Sequence, residues 1–269
     1  MKTKMLVLTL AFIGFCIPVN ASVLQMHSEM LYNSVRVVGE RGAMGSGTVI
    51  FSAQYRGEQH SYVLTNHHVV ARNIVIKEEW SNKEQKTVKF ESLSPVTVEW
   101  FDYNDLSREV GTRGKVADIV AYSKTHDLAV LRVRDKETKV KYVANLAPRD
   151  RTLFLFEESW VTGSGLGQVP FPTYGLISNL DQRIKGLRYI LSSAPIIFGN
   201  SGGTLYHYEE SCDCYEMIGV PSMMSGSWNT GPITHMGWSI PMGRIYDFLI
   251  DNSLQFIWGE EVPDEDEEE

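Results

Sequence analysis

Apolar positions in this chain come in short runs separated by turn-forming residues. Residues 35–38, 47–51, 62–65, 96–101, 119–123 and 128–133 are such runs in the first half. Residues 174–178, 189–192, 203–206, 217–220 and 237–240 repeat the pattern in the second. Runs this short, rich in Val, Ile and Tyr, do not develop the 3.6-residue period of a helix and read as strands. Gly, Pro and Asn between them suit the turns of a sandwich or barrel, so the pattern predicts an all-β fold of many short strands. Two stretches read differently. Residues 23–32 read as a short helix or an irregular entry. Residues 242–254 place Ile245, Phe248 and Leu249 at helical spacing behind Pro241, which predicts a C-terminal helix. There is no internal repeat and no long linker.

Composition changes the picture mainly at the two ends. Lys2 and Lys4 precede an apolar run over residues 5–17, and Val19, Asn20 and Ala21 supply small residues at a cleavage point. This predicts a signal peptide over residues 1–21 and an exported protein, periplasmic or secreted. The run is short of the roughly 20 residues a membrane span needs, so no stable membrane insertion is expected. At the other end, residues 260–269 carry eight of the 33 acids; without them, 25 acids face 25 bases. The body is therefore electrically balanced, which gives no reason to expect a nucleic-acid partner. Residues 256–269 read as an acidic, solvated tail, leaving 22–255 as the folded domain. Only Cys212 and Cys214 remain after the leader. A one-residue gap leaves two readings open, free thiols or a strained bridge. His207 is near, but no fourth ligand presents itself, and neither a metal nor a cofactor is expected.

Three segments carry candidate chemistry. An apolar strand, residues 61–65, runs into Asn66, His67 and His68. Asp127 opens the apolar run 128–131. Ser201 sits among glycines in the run Gly199, Asn200, Ser201, Gly202, Gly203. A serine hydroxyl is a weak nucleophile and needs a histidine to take its proton and return it to the leaving group. A carboxylate fixes the tautomer of that histidine and stabilises its cation. Glycines let the backbone turn sharply and aim N–H groups at a developing oxyanion. Singly, each segment is an ordinary turn or strand end. In the order His, Asp, Ser they follow the chymotrypsin chain order, distinct from those of subtilisin and the α/β-hydrolases, and the flanks of Ser201 lack the G-x-S-x-G elbow.

These segments resemble the trypsin-like peptidases of the HtrA/Deg type. Gly45 to Ile50 resembles that family's opening strand, and Thr65 to Val70 its Thr-Asn-x-His-Val-Val motif. Asp127 to Leu131 resembles its aspartate strand, Gly199 to Gly203 its nucleophile loop, and Gly237 to Pro241 its late Gly-Phe-Ala-Ile-Pro strand. The resemblance covers about residues 34–252. It implies two six-stranded antiparallel β-barrels with the active site between them. It implies Ser201 as nucleophile, His68 (not His67, which falls at the variable position) as base and Asp127 as orienter. The implied oxyanion donors are the N–H groups of Gly199 and Ser201, with Asn200 the weaker candidate.

Matched positions imply a specificity pocket of Pro195, Ile196, Ser222, Met223, Gly237 and Ser239. Pro195 stands where an aspartate would select Lys or Arg, so the pocket is uncharged and suited to a small or medium apolar side chain. The expected function is a serine endopeptidase acting on protein or peptide substrates through an acyl-enzyme. The alternative is an inactive relative that binds peptides. Asn200 replaces the aspartate that pairs with a freed N-terminus in the digestive enzymes, and no Arg-Ile-Val-Gly-Gly stretch occurs, so no activation cleavage beyond leader removal is expected. No PDZ domain is expected to follow, and oligomeric state is not implied. The charged stretch 77–113 reads either as a solvated hairpin extension or as a lid.

Overall fold

The computed structural model describes residues 19–55, 57–82, 85–137, 139–227 and 231–260. The leader reading falls for the most part, and the acidic tail partly, outside them. The chain enters through helix α1 (Val19–Met26), which runs on into one π-helical turn at His27–Leu31. Among the described residues fifteen strands follow, with one four-residue α-helix and short 3-10 turns among them and one α-helix after the last. The first group is β1 (Ser34–Val38), β2 (Met44–Tyr55), β3 (Glu58–Thr65), the short helix α2 (His67–Val70), β4 (Ile74–Ser81), β5 (Lys86–Leu93), β6 (Val96–Asn104), β7 (Arg108–Ser123) and β8 (Leu128–Val133). The second is β9 (Asn145–Leu146), β10 (Glu158–Gly163), β11 (Phe171–Ile184), β12 (Leu187–Ser192), β13 (Thr204–Glu209), β14 (Cys214–Ser227) and β15 (Gly231–Pro241), followed by helix α3 (Met242–Ile250).

Two antiparallel barrels result, as the resemblance implies. The first closes in the order β1-β2-β3-β8-β7-β6. In the second, β13-β10-β11-β12-β15-β14 closes through a β13–β14 pairing, and β9 adds itself parallel to β14 as a seventh strand. Closure removes the unpaired edges that an open sheet of this size would expose. The period of two is plain in the first barrel. Val35 and Val37 of β1, Val96 and Val98 of β6, and Ala117 and Ile119 of β7 all point into one core.

Strands β3 and β8 break this alternation because both of their faces are covered. Val63, Ala129 and Leu131 face the first core. Tyr62, Leu64, Leu128 and Val130 face a second cluster that takes in the second barrel and the α3 residues Ile245, Phe248 and Leu249. A strand buried on both sides reads as a continuous apolar run. Both segments therefore stand out in the sequence, and both end next to the candidate chemistry. Polar bonds also tie the barrels together. Tyr206 Oη donates to Asn33 Oδ1 at 2.8 Å, Ser34 Oγ to Thr162 Oγ1 at 2.9 Å, and Thr48 and Thr204 share a hydroxyl–hydroxyl bond.

The stretch 77–113 is not one insertion. Its first part belongs to the separate two-stranded hairpin β4–β5, exposed on both faces, while β6 and the start of β7 are staves of the first barrel. The hairpin reading therefore holds for residues 77–93, while the strand read at 96–101 is part of the barrel. Cys212 and Cys214 form a disulfide at the tip of the β13–β14 hairpin, with Cα atoms 5.2 Å apart, which selects the bridged reading. Glu216 lies with them in a group of three potential metal-ligand atoms. The sulfurs, bonded to each other, offer no thiolate, and Glu216 is already paired with Arg151 at 2.5 Å. No helix among the described residues is long and apolar enough to cross a membrane.

Candidate active site

Residues His68 and Asp127 meet because of strand register. Antiparallel β3 and β8 pair Thr65 with Ala129, so the residues just past β3 lie beside those just before β8. The chain leaves β3 into α2, which carries His67 and His68 and lays Val69 and Val70 into the first core. Asp127 holds a left-handed conformation, φ 56°, that is unusual away from glycine. Asn66 supports it by donating its side-chain N–H to the Asp127 carbonyl at 2.8 Å.

The Asp127 carboxylate is surrounded by donors. His68 Nδ1 lies 2.9 Å from Oδ2 and 3.0 Å from Oδ1. The His68 backbone N–H donates to Oδ1 at 3.1 Å, and the Ser222 hydroxyl donates to Oδ2 at 2.6 Å. Burial works against the charge on Asp127. The hydrogen bond and electrostatic attraction of the His68 ring, the Ser222 hydroxyl and the His68 backbone N–H outweigh it, holding the carboxyl below its ordinary value. Asp127 therefore stays ionised at neutral pH. His67 stacks on Tyr122 with ring centroids 5.6 Å apart, and burial lowers its pKa, helped by His68 and Lys124 and opposed by Asp127. His67 is thus neutral and occupied at neutral pH, while the His68 side chain remains 47% exposed toward the cleft.

Ser201 sits on the loop entering β13. Gly199 and Gly202 in this loop have φ of 100° and 84°. A side chain at Gly199 would come within 2.5 Å of the Ser164 carbonyl, and one at Gly202 would strike the Ser46 carbonyl and the Thr65 hydroxyl. Only glycine fits either position. The first barrel holds the loop from below. Ser46 N–H donates to the Ser201 carbonyl at 2.8 Å, and Ser46 Oγ donates to the Gly199 carbonyl at 2.6 Å.

The direction of the N–H groups follows from peptide planarity. The Phe198 carbonyl accepts from Leu166 N–H at 2.6 Å, so the Gly199 N–H on the same peptide plane points to the opposite side. Among the described residues, neither Gly199 N–H nor Ser201 N–H has an acceptor, whereas Asn200 N–H is occupied by the Ile197 carbonyl at 3.0 Å. The first two are available to a ligand and Asn200 is not.

His68 and Ser201 line one cleft of about 540 Å³, together with Gly199, Ile196, Ser222 and Met223. The other expected pocket residues lie outside its lining. Pro195 is exposed, and its carbonyl accepts from the Thr173 hydroxyl at 2.7 Å. Ser239 is 2% exposed, paired to Ile190 and Pro221. Gly237 lies under Ile196, whose Cδ1 would be 2.9 Å from any side chain placed there. Sequence reasoning missed Met44, Val69, Phe198 and Met224, which make the cleft strongly apolar, and Arg72, its one permanent cation. It also assigned Ser222 to a pocket wall without its bond to Asp127. Ser46 lay in a quoted motif, but nothing in its position along the chain showed that it would clamp a loop more than 150 residues away.

The model of the trypsin-like peptidase domain matches residues 45–212, a span that holds His68, Asp127 and Ser201. Among solved structures, an HtrA-type protease, AlgW, with a tripeptide superposes with a TM-score of 0.60 at 19% identity, over 88% of this chain and 64% of that one. The serine endoprotease from Yersinia pestis superposes with a TM-score of 0.56 at 19% identity, over 86% of this chain and 66% of that one. The chain thus spans just under two thirds of the length of these two proteins, and at this identity the likeness is one of fold. No curated protein matches the chain.

Proposed function

Because this chain belongs to the trypsin-like peptidase domain family, we propose that it is an exported serine endopeptidase in which Ser201, His68 and Asp127 act as a triad. The observation that carries this reading is the His68–Asp127 pair at 2.9 Å, opening onto the cleft that Ser201 lines. Ser201 Oγ attacks the scissile carbonyl while His68 Nε2 takes its proton. The Gly199 and Ser201 N–H groups receive the oxyanion, a contribution of about 3–4 kcal/mol per donor. His68 then gives the proton to the leaving amine, and water repeats the cycle on the acyl-enzyme. Asp127 stays a carboxylate throughout and pins the proton on His68 Nδ1. Ser222 and Asn66 act through Asp127 as positioning residues.

The reading makes a direct demand. A fluorophosphonate is expected to label the native chain on Ser201, located by mass spectrometry of the modified peptide. A folded chain that takes no label overturns the reading in favour of a peptide-binding relative without catalysis.

The proposal extends to substrate class. Ile196, 5% exposed and resting on Gly237, fills space that a deep slot would require, and among the described residues Arg72 is the one Lys, Arg, Asp or Glu lining the cleft. Cleavage is expected after Val, Ala, Leu or Ile, since an apolar pocket of this kind gains about 1–3 kcal/mol per fitted methylene. A peptide-library profile dominated by Lys, Arg or Glu at the cleaved position contradicts this.

A further inference from the structure

Helix α3 turns Ile245, Phe248 and Leu249 into the second core, and the residue before Ile245 is an arginine. Arg244 Nη2 donates to the His126 carbonyl at 3.0 Å. That carbonyl belongs to the peptide that enters Asp127, and the carbonyl on the other side, that of Asp127 itself, accepts from Asn66 at 2.8 Å. Both peptide planes that flank Asp127 are therefore held, one from the end of β3 and one from α3. The residue between them has a φ of 56°, a conformation that an aspartate does not keep without support.

Arg244 is itself held in place for this bond. Its guanidinium lies 4.8 Å over the ring of buried Tyr189, and Nη1 donates to the Arg188 carbonyl at 3.2 Å. A planar fork stacked on a ring and bonded through a second arm loses little further freedom in making the bond to His126. Its charge goes to no carboxylate. Asp247 and Asp181 line the same surface cavity as Arg244, but Asp247 pairs with Arg149 and Asp181 with Arg188 at 3.5 Å. Among the described residues Arg244 forms no ion pair, and its donors go to main-chain carbonyls. The groups that hold Asp127 ionised are His68 and Ser222, so what Arg244 holds is the backbone.

We propose that Arg244 is a positioning residue of the triad, fixing through the His126 carbonyl the turn that aims the Asp127 carboxylate at His68 Nδ1. This rests on the reading of Ser201, His68 and Asp127 as a triad. Without the bond, the peptide between His126 and Asp127 is free to rotate toward the ordinary right-handed region. A change of φ at Asp127 swings the carboxylate away from the ring, and the tautomer of His68 is no longer enforced.

The test compares Arg244→Met, which keeps a stem over Tyr189 and removes the donors, with Arg244→Lys, which restores a donor. Arg244→Met is expected to lower kcat on a cleaved peptide about 10²-fold and to leave KM within about two-fold. Arg244→Lys is expected to recover to within about ten-fold of the wild type. One-dimensional NMR reads the cause. The far-downfield Nδ1 proton of His68, assigned by its absence in His68→Ala, is expected in the wild type and in Arg244→Lys and is lost in Arg244→Met. A merely structural arginine would lower the thermal midpoint and leave kcat and the resonance in place, which overturns the proposal. So does a rise in KM in place of the fall in kcat, a fall in kcat with the resonance intact, or a wild type without the resonance. Where Arg244→Met does not fold, Arg244→Gln, whose amide stops short of the His126 carbonyl, takes its place with the same expectations. A wild type that neither cleaves peptide nor takes a fluorophosphonate label defeats the triad reading. The resonance then decides the positioning role by itself, its loss in the folded variant supporting that role and its retention overturning it.

Discussion

Ser201→Ala is expected to lower kcat on a cleaved peptide by about 10⁶-fold while leaving KM and the thermal midpoint nearly unchanged. A loss of that size corresponds to about 8 kcal/mol of transition-state stabilisation. The structure argues for a chemical effect without a folding defect. The Ser201 side chain makes no hydrogen bond among the described residues, and what anchors the loop are backbone groups that alanine retains, the Ser201 carbonyl on Ser46 N–H and the Gly202 N–H on the Pro221 carbonyl. The Gly199 and Ser201 N–H groups also survive, so a residue of catalysis about 10³-fold above the uncatalysed rate is expected to remain. Adding His68→Ala to the same chain is expected to cost little more, because nucleophile and base act as a unit. Steady-state kinetics of the two variants check this. A single variant within ten-fold of wild type would remove Ser201 from the chemistry.

Asp127→Asn is expected to lower kcat by about 10⁴-fold with the backbone unchanged. The amide can occupy the carboxylate's place and still accept from the His68 backbone N–H. Its N–H₂ group, however, presents a donor to His68 Nδ1, which then turns acceptor and leaves the proton on Nε2. A base protonated on the side facing Ser201 cannot take the hydroxyl proton. The pH dependence of stability separates this from simple damage. Because the native carboxyl is held below its ordinary value, its bonds to His68 and Ser222 stabilise the fold fully above the unfolded value of about 3.9. That stabilisation is lost as pH falls through the lower native value. The wild type is therefore expected to lose this contribution only below about pH 4, and the Asn variant to lack that part of the acid limb. Denaturation midpoints measured from pH 3 to 7 would show it; parallel curves for the two proteins would mean that Asp127 is not held ionised by the pair.

Legibility in the sequence followed burial. Strands β3 and β8 were plain because both of their faces are covered, which turns an alternating pattern into a continuous apolar run, and His68 and Asp127 could be found as the polar residues at their ends. The Ser201 loop was plain for a different reason: Gly199 and Gly202 are sterically required, so the glycines are visible wherever the loop lies. The start of strand β7 was hidden because its residues are exposed and charged, whereas the exposed hairpin β4–β5 and the half-buried strand at 96–101 were both legible. The pocket was the least legible. Ile196 and Gly237 were both named, but nothing along the chain indicates that one lies on the other and fills the space between them.

By itself, the sequence determined the all-β class, the order of the three candidate residues, the glycines their loop needs and the C-terminal helix, because each depends on local pattern or on a steric requirement of a single residue. The tertiary structure alone decided what depends on distance through space. It set the pairing of Thr65 with Ala129 that brings His68 to Asp127, the Ser222 bond that completes the carboxylate's partners, and the Ser46 clamp beneath Ser201. Those arrangements join residues from tens to more than 150 positions apart, and hydrogen bonding at that separation is set by register and barrel closure, which no local pattern encodes.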